Sequence, residues 1–167
     1  MRLAQIDRIL SLEKGEAITA VKGLALSEEY LKDHFPRFPV MPGVLMLESM
    51  FQAAMYLLRA SDDFAHSMVV LKEARNFKFN GFVQPGDQLV VTAKIQSVKD
   101  GVYKIKTEGQ IAGKPAVSGI MFLEQFNLAD RGTGAAATDD HMISEFKKNY
   151  QRLFDQINNP VSTAVDG

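Results

Sequence analysis

No cysteine and no tryptophan occur anywhere in the 167 residues. The first absence excludes disulfides, thiolate nucleophiles and cysteine-based metal sites. Histidine is nearly as scarce, and His34, His66 and His141 show no metal-ligand spacing, so no metal is expected. Net charge is missing too: 19 Lys and Arg against 20 Asp and Glu leave −1, and nucleic acid is not an expected partner. No apolar run is a comfortable membrane span, and the N-terminus M-R-L-A-Q-I-D lacks an apolar signal segment. No stable membrane insertion and a cytoplasmic location are therefore expected. There are no repeats, no G-x-G-x-x-G and no G-x-S-x-G, and the phosphate-loop-like run at 109–114 is one residue short and followed by Pro115.

What is present is apolar content, 46% of the chain, enough for a single domain with a real core. The stretch from Asp33 to Leu58 dominates it. Pro36, Pro39 and Pro42 each fix φ and lack an N–H, so His34 to Pro42 reads as a rigid loop opened by His34. From Pro42-Gly43 to about Leu58 strong helix formers follow, apolar nearly all round, which predicts a helix buried in the core.

Into that helix the sequence sets Glu48, Ser49 and Gln52. A carboxylate among apolar side chains costs several kcal/mol (roughly) unless it is paired, hydrogen-bonded or protonated. Gln52 lies one turn on and can bond it, while Gly43 leaves a helix N-terminal N–H uncovered. His34, Glu48 and the Gly43 N–H are thus a candidate base, acid and oxyanion donor. A histidine in a loop and a glutamate serving as a structural hydrogen-bonding group would look the same, and spacing alone does not separate the readings.

Around this centre the chain reads as strands. A hairpin is expected from Ala4–Leu12 and Ala17–Leu24, then a short helix capped by Ser27 and ending near Lys32. Further strands are expected at Met68–Phe79, from Leu89, around Tyr103–Thr107 and at Ala116–Phe126, with turns at Pro85-Gly86-Asp87, Asp100-Gly101 and Ala112-Gly113. Several antiparallel strands with one wholly apolar helix amount to an α+β domain whose sheet wraps the helix. Residues 128–138 read as a linker. Residues 139–158 read as a helical extension capped by Asp139 or Asp140, with Met142, Ile143, Phe146, Tyr150, Leu153, Phe154 and Ile157 on one stripe. Residues 159–167 read as a disordered tail.

The segment H-F-P-x-x-P-V-M-P-G-V-L-M-L-E-x-x-x-Q, from His34 to Gln52, resembles the signature of the FabZ-type 3-hydroxyacyl-acyl carrier protein dehydratases of the hotdog-fold superfamily. K-F-N-G-F-V-Q-P-G-D-Q-L, from Lys78 to Leu89, resembles that family's K-F-x-x-x-V-x-P-G-D-x-L. The similarity extends from Gln5 to Phe126, over residues 1–127 taken as the hotdog domain. It implies a hotdog fold, an antiparallel sheet wrapped around a central buried helix, here with a C-terminal amphipathic helix added.

The resemblance also implies an activity, dehydration of a 3-hydroxyacyl thioester to the trans-2-enoyl thioester in fatty-acid or related biosynthesis. His34 would be the base, suited by an unperturbed imidazole pKa of about 6.5. Glu48 would assist departure of the hydroxyl, Gly43 would polarise the thioester carbonyl and Gln52 would orient Glu48. No cofactor is implied, since the substrate rides on the phosphopantetheine of acyl carrier protein. Arg37, Lys72, Arg75 and Lys78 are candidates to meet that acidic partner. A homodimer or a trimer of dimers is implied, with His and Glu of one site from different protomers. The chain departs from the family pattern in lacking a preceding Pro-His-Arg element, and in Arg37, Phe51 and the C-terminal helix, each of which bears on the acyl tunnel. The alternatives are another hotdog hydratase or thioesterase, and a non-catalytic or partner-dependent acyl-binding subunit.

Overall fold

The computed structural model describes residues 3–158, with side chains through residue 154; the tail expected at 159–167 lies outside the described residues. Six strands form one antiparallel sheet: β1 (Arg8–Glu13), β2 (Ala17–Gly23), β3 (Met68–Phe79), β4 (Gln88–Lys99), β5 (Val102–Ile111) and β6 (Lys114–Phe126). Their order is β1-β2-β4-β5-β6-β3, so among the described residues β3 pairs only with β6 and its other edge is free. The hairpins turn where the sequence said: Asp100-Gly101 and Ala112-Gly113 both take positive φ at two successive residues, the twist that suits a two-residue hairpin.

The long helix α1 (Gly43–Ser61) lies in the hollow of this sheet. Alternate residues of β4, Leu89, Val91 and Ala93, are buried toward it, as are Ile105 of β5 and Met121 and Leu123 of β6. From α1 itself Met50, Ala53, Ala54 and Leu57 are fully enclosed. This is the hotdog architecture: period-two burial on the strands wrapped around a helix apolar on most sides.

Four local expectations are corrected. The first strand begins at Arg8, not Ala4, because Leu3 and Gln5 give their backbone groups to the Gln52 side chain instead of to the sheet. Ser27 does not cap a helix; a single 3-10 turn spans Glu29–Lys32, with Glu28 ahead of it making no side-chain cap bond. Helix α1 runs three residues beyond Leu58, with the Ser61 hydroxyl bonding back to the Leu57 carbonyl at 2.6 Å and Arg59 buried. Its first turn is not enclosed: Val44 is 73% exposed.

The second helix, α2 (Ala136–Asn158), starts ahead of Asp139 and follows a 3-10 turn at Ala129–Arg131. Asp139 is buried inside α2, where its carboxylate accepts from the backbone N–H of Leu128 (2.9 Å) and Ala129 (3.0 Å) and from the Ser67 hydroxyl. Further along, Phe146 lies 3.8 Å over the buried Arg59 guanidinium, Tyr150 contacts Tyr56 and Phe64, and Leu153 is in the core. Among the described residues no helix is long and apolar enough to cross a membrane.

The Ser67 hydroxyl, then the Ala129 and Leu128 N–H groups, hold the Asp139 carboxyl below its ordinary value of 3.8. A depressed native value stabilises the fold above the ordinary value and loses that effect as pH falls through the native one. Thermal unfolding should therefore place Asp139→Asn below wild type at about pH 7, and the two curves should converge below about pH 4.

Candidate active site

The 3-10 turn at Glu29–Lys32 delivers His34, whose N–H bonds to the Tyr30 carbonyl at 3.0 Å. That turn is held by Lys22, which reaches Glu28 at 2.9 Å and Asp7 at 3.4 Å. Burial opposes the Lys22 charge, but the bond to Glu28 and the field of Asp7 carry its pKa above the ordinary value. Beside it, burial pushes the Tyr30 hydroxyl up to about 12, with Glu28 and Asp7 adding to the effect.

His34 is half-buried and its ring meets Phe35 edge-on, centroids 4.5 Å apart. Phe35 holds φ at 51°, a left-handed conformation uncommon for a bulky aromatic residue and costly unless the surroundings impose it. The imposition comes from the loop beyond: Phe38 N–H bonds to the Phe35 carbonyl at 2.7 Å, and Val40 and Met41 are buried. Met41 N–H then bonds to the Val83 carbonyl at 2.9 Å, while Phe38 packs on Phe82. The two sequence motifs thus meet in space. The Pro85-Gly86-Asp87 turn is fixed in its own right, because the Asp87 carboxylate accepts from Gln84 N–H at 2.8 Å and Gly86 N–H reaches the Leu24 carbonyl at 2.8 Å.

Gly43 opens α1 directly after Pro42, with no side chain capping the helix and no partner for its N–H among the described residues. A Cβ at this position would stand 3.1 Å from the Phe79 ring, so the backbone comes close to β3 only because the residue is glycine. The bare N–H carries the positive end of the helix dipole.

One and a half turns on, Glu48 accepts a 2.7 Å hydrogen bond from Gln52 Nε2. The same Nε2 donates to the Leu3 carbonyl at 2.8 Å, and Gln52 Oε1 accepts from Gln5 N–H at 2.8 Å. Glu48 is half-buried, not enclosed as the apolar helix suggested, because its face of α1 looks into a cavity of about 710 Å³ between α1, the N-terminal segment and α2. His34 does not line that cavity, and no contact among the described residues joins it to Glu48. Within one chain, then, Glu48 and Gln52 are brought together and His34 is not.

Of the four candidate docking cations, Lys72 pairs with Glu124 at 3.1 Å and Arg75 with Glu73, stacking also on Phe122. Arg37 and Lys78 are exposed, without an ion pair among the described residues. The residues that sequence reading missed are those α2 brings to the cavity, Met142, Glu145, Asn149 and Arg152 among them. The amphipathic stripe was visible in the sequence, but nothing there said what it covers.

A family model described as the FabA-like domain matches residues 1–119. Among similar curated proteins, a 3-hydroxyacyl-[acyl-carrier-protein] dehydratase FabZ of Wolbachia pipientis is 39% identical over 101 residues, 60% of this chain and 71% of that protein. The protein of the same name from Ruminiclostridium cellulolyticum is 36% identical over 114 residues, 68% and 80% of the two chains. Among solved structures, the dehydratase heterocomplex ApeI:P from Xenorhabdus doucetiae superposes with a TM-score of 0.64 at 14% identity, over 77% of this chain and 86% of that one. The last likeness supports the fold. With the match running through the loop, the buried helix and most of the sheet, the chain belongs to the FabA-like family and within it to the FabZ dehydratases.

Proposed function

We propose that this chain removes water from a 3-hydroxyacyl thioester carried on acyl carrier protein, giving the trans-2-enoyl thioester of fatty-acid or related acyl-chain synthesis. The observation that carries the reading is the Glu48–Gln52 pair, facing a cavity and placed just past the uncovered Gly43 N–H. The thioester carbonyl accepts from that N–H, which stabilises the oxygen as it gains charge, an effect of a few kcal/mol (roughly) for a preorganised donor. His34 takes the proton from the carbon next to the carbonyl. The C–O bond at the third carbon breaks as Glu48 protonates the departing hydroxyl, and water leaves. One proton is taken up and one is delivered, so the site resets when His34 returns its proton to Glu48. The elimination is redox-neutral and balances without a cofactor.

Because His34 and Glu48 do not meet within one chain, the site is completed by a second copy. Two features support that partner. The outer edge of β3 has unpaired backbone groups, which invite pairing across a two-fold axis. At the same end of the molecule Phe35, Phe38, Val44, Phe79 and Phe82 are exposed by between 47% and 73%, apolar surface that association would cover.

The direct test is mass spectrometry of a 3-hydroxyacyl-carrier substrate after incubation with the protein: loss of one water in the wild type and not in Glu48→Gln is expected, and inactivity of the wild type at every chain length would refute the reading. Carrier docking is assigned to the free cations. Replacing Arg37 and Lys78 together by Glu should raise KM about tenfold for the carrier-bound substrate, with little change for a pantetheine thioester. Equal effects on both substrates would remove the docking role.

A further inference from the structure

Helix α2 lies beyond the residues 1–119 that the family model matches, yet it builds one whole wall of the cavity that Glu48 faces. The facing wall is a single face of α1: Glu48, Phe51, Gln52, Met55 and Tyr56 follow the helical period. That face runs away from Gly43 for about 12 Å. It carries the Glu48–Gln52 pair, and most of the remaining lining is apolar, including Phe51 and Met55 of α1 and Met142 of α2, although His141, Glu145, Asn149 and Arg152 of α2 add polar groups. The volume, about 710 Å³, is that of a small-molecule site. A mainly apolar cavity that also holds the Glu48 carboxyl suits an acyl chain extending past its reacting carbons.

We propose that α2 is the distal wall of the acyl-chain subsite, and that Met142, with Phe51 across the same cavity, sets the length of chain accepted. The inference rests on the dehydratase reading and adds to it a specificity element peculiar to this chain. Met142 is singled out because its neighbours on the stripe have other duties. Phe146 is stacked on Arg59 and Leu153 is core, whereas Met142 is half-buried, lines the cavity and makes no side-chain hydrogen bond or ring contact among the described residues. It stands one turn from the Asp139 anchor, which fixes the position of its backbone. An unbranched thioether there fills space that a bulkier group would take from the substrate and a smaller one would release.

The test compares kcat/KM for carrier-bound 3-hydroxyacyl substrates from butyryl to dodecanoyl length in wild type, Met142→Trp and Met142→Ala, with urea midpoints checked so that both variants are known to be folded. The ratio of the longest to the shortest substrate should fall about tenfold or more in Met142→Trp, and rise in Met142→Ala, as expected when a pocket loses or gains room for a few methylenes. Ratios that stay at the wild-type value, or that move the same way in both variants, overturn the role of α2 while leaving the dehydratase reading intact. A wild type inactive at every length removes both.

Discussion

His34→Ala and Glu48→Gln, each inactive by itself, should together recover about a quarter of the wild-type rate when co-expressed and allowed to form mixed dimers. Each substitution alone removes one arm of the proton transfer, which should lower kcat by roughly a hundredfold to ten-thousandfold. The recovery follows from geometry. His34 stands on the loop ahead of α1, away from the cavity that Glu48 faces, and the proposed mechanism therefore takes His34 from one copy and Glu48 from another. Random mixing makes about half the dimers hybrid, and each hybrid holds one intact site and one doubly defective site. Purification through two different affinity tags isolates the hybrid, whose rate can be set against either parent. No recovery in the isolated hybrid would mean that both groups act from the same chain.

The largest effect on stability is expected at Arg59. Its side chain is 2% exposed, with Nη1 donating to the His66 carbonyl at 2.6 Å, Nη2 to the Ser67 carbonyl at 2.7 Å, and the Phe146 ring against its face. Burial brings the guanidinium down to about 10, with Tyr56 and Asp62 opposing, and it remains charged at neutral pH. Arg59→Met fills most of the volume but leaves two interior carbonyls without donors, each such charge-assisted bond contributing about 1.5 to 3 kcal/mol. A loss of about 4 kcal/mol and a fall in Tm of roughly 10 °C are expected, measured at fixed protomer concentration because association adds to apparent stability. Arg59→Lys should not restore it, since one ammonium cannot reproduce the planar fork that spans both carbonyls. A loss below about 1 kcal/mol would show that water takes the place of the missing donors.

The parts of the fold that could be read from sequence are those where one residue type has one consequence. Proline fixed the loop from His34 to Pro42 and the entry to α1, and Asp100-Gly101 fixed the hairpin of β4 and β5. Alternation found most strands, but it misplaced the start of β1. The segment from Leu3 to Ile6 alternates as a strand would, while the partner of its backbone is an amide side chain 47 residues away. The end of α1 was hidden closer by, where the carbonyls of His66 and Ser67, seven and eight residues on, close over the Arg59 guanidinium.

In the candidate site, the Glu48–Gln52 bond was legible because the two residues lie one turn apart on one helix, whereas the roles of His34, Gly43 and Glu48 rest on the family resemblance. The separation of His34 from the cavity of Glu48 was expected only through that resemblance, which implies His and Glu from different protomers. The cavity that half-buried Glu48 faces was not legible, because one of its walls is α2, arriving from the far end of the chain. Lys72 and Arg75 looked as available as Arg37 and Lys78, and only the position of Glu124 and Glu73 on the sheet separates the paired cations from the free ones.

The amide of Gln52 holds Glu48 with the same nitrogen that holds the Leu3 carbonyl, and its oxygen takes the Gln5 N–H. Whatever is fused ahead of Leu3 would therefore pull on Glu48, the proposed acid, through a single side chain. On the proposed mechanism, an affinity tag placed there would perturb catalysis as well as serve as a handle, and a fluorophore placed there would report the orientation of Glu48 from outside the cavity.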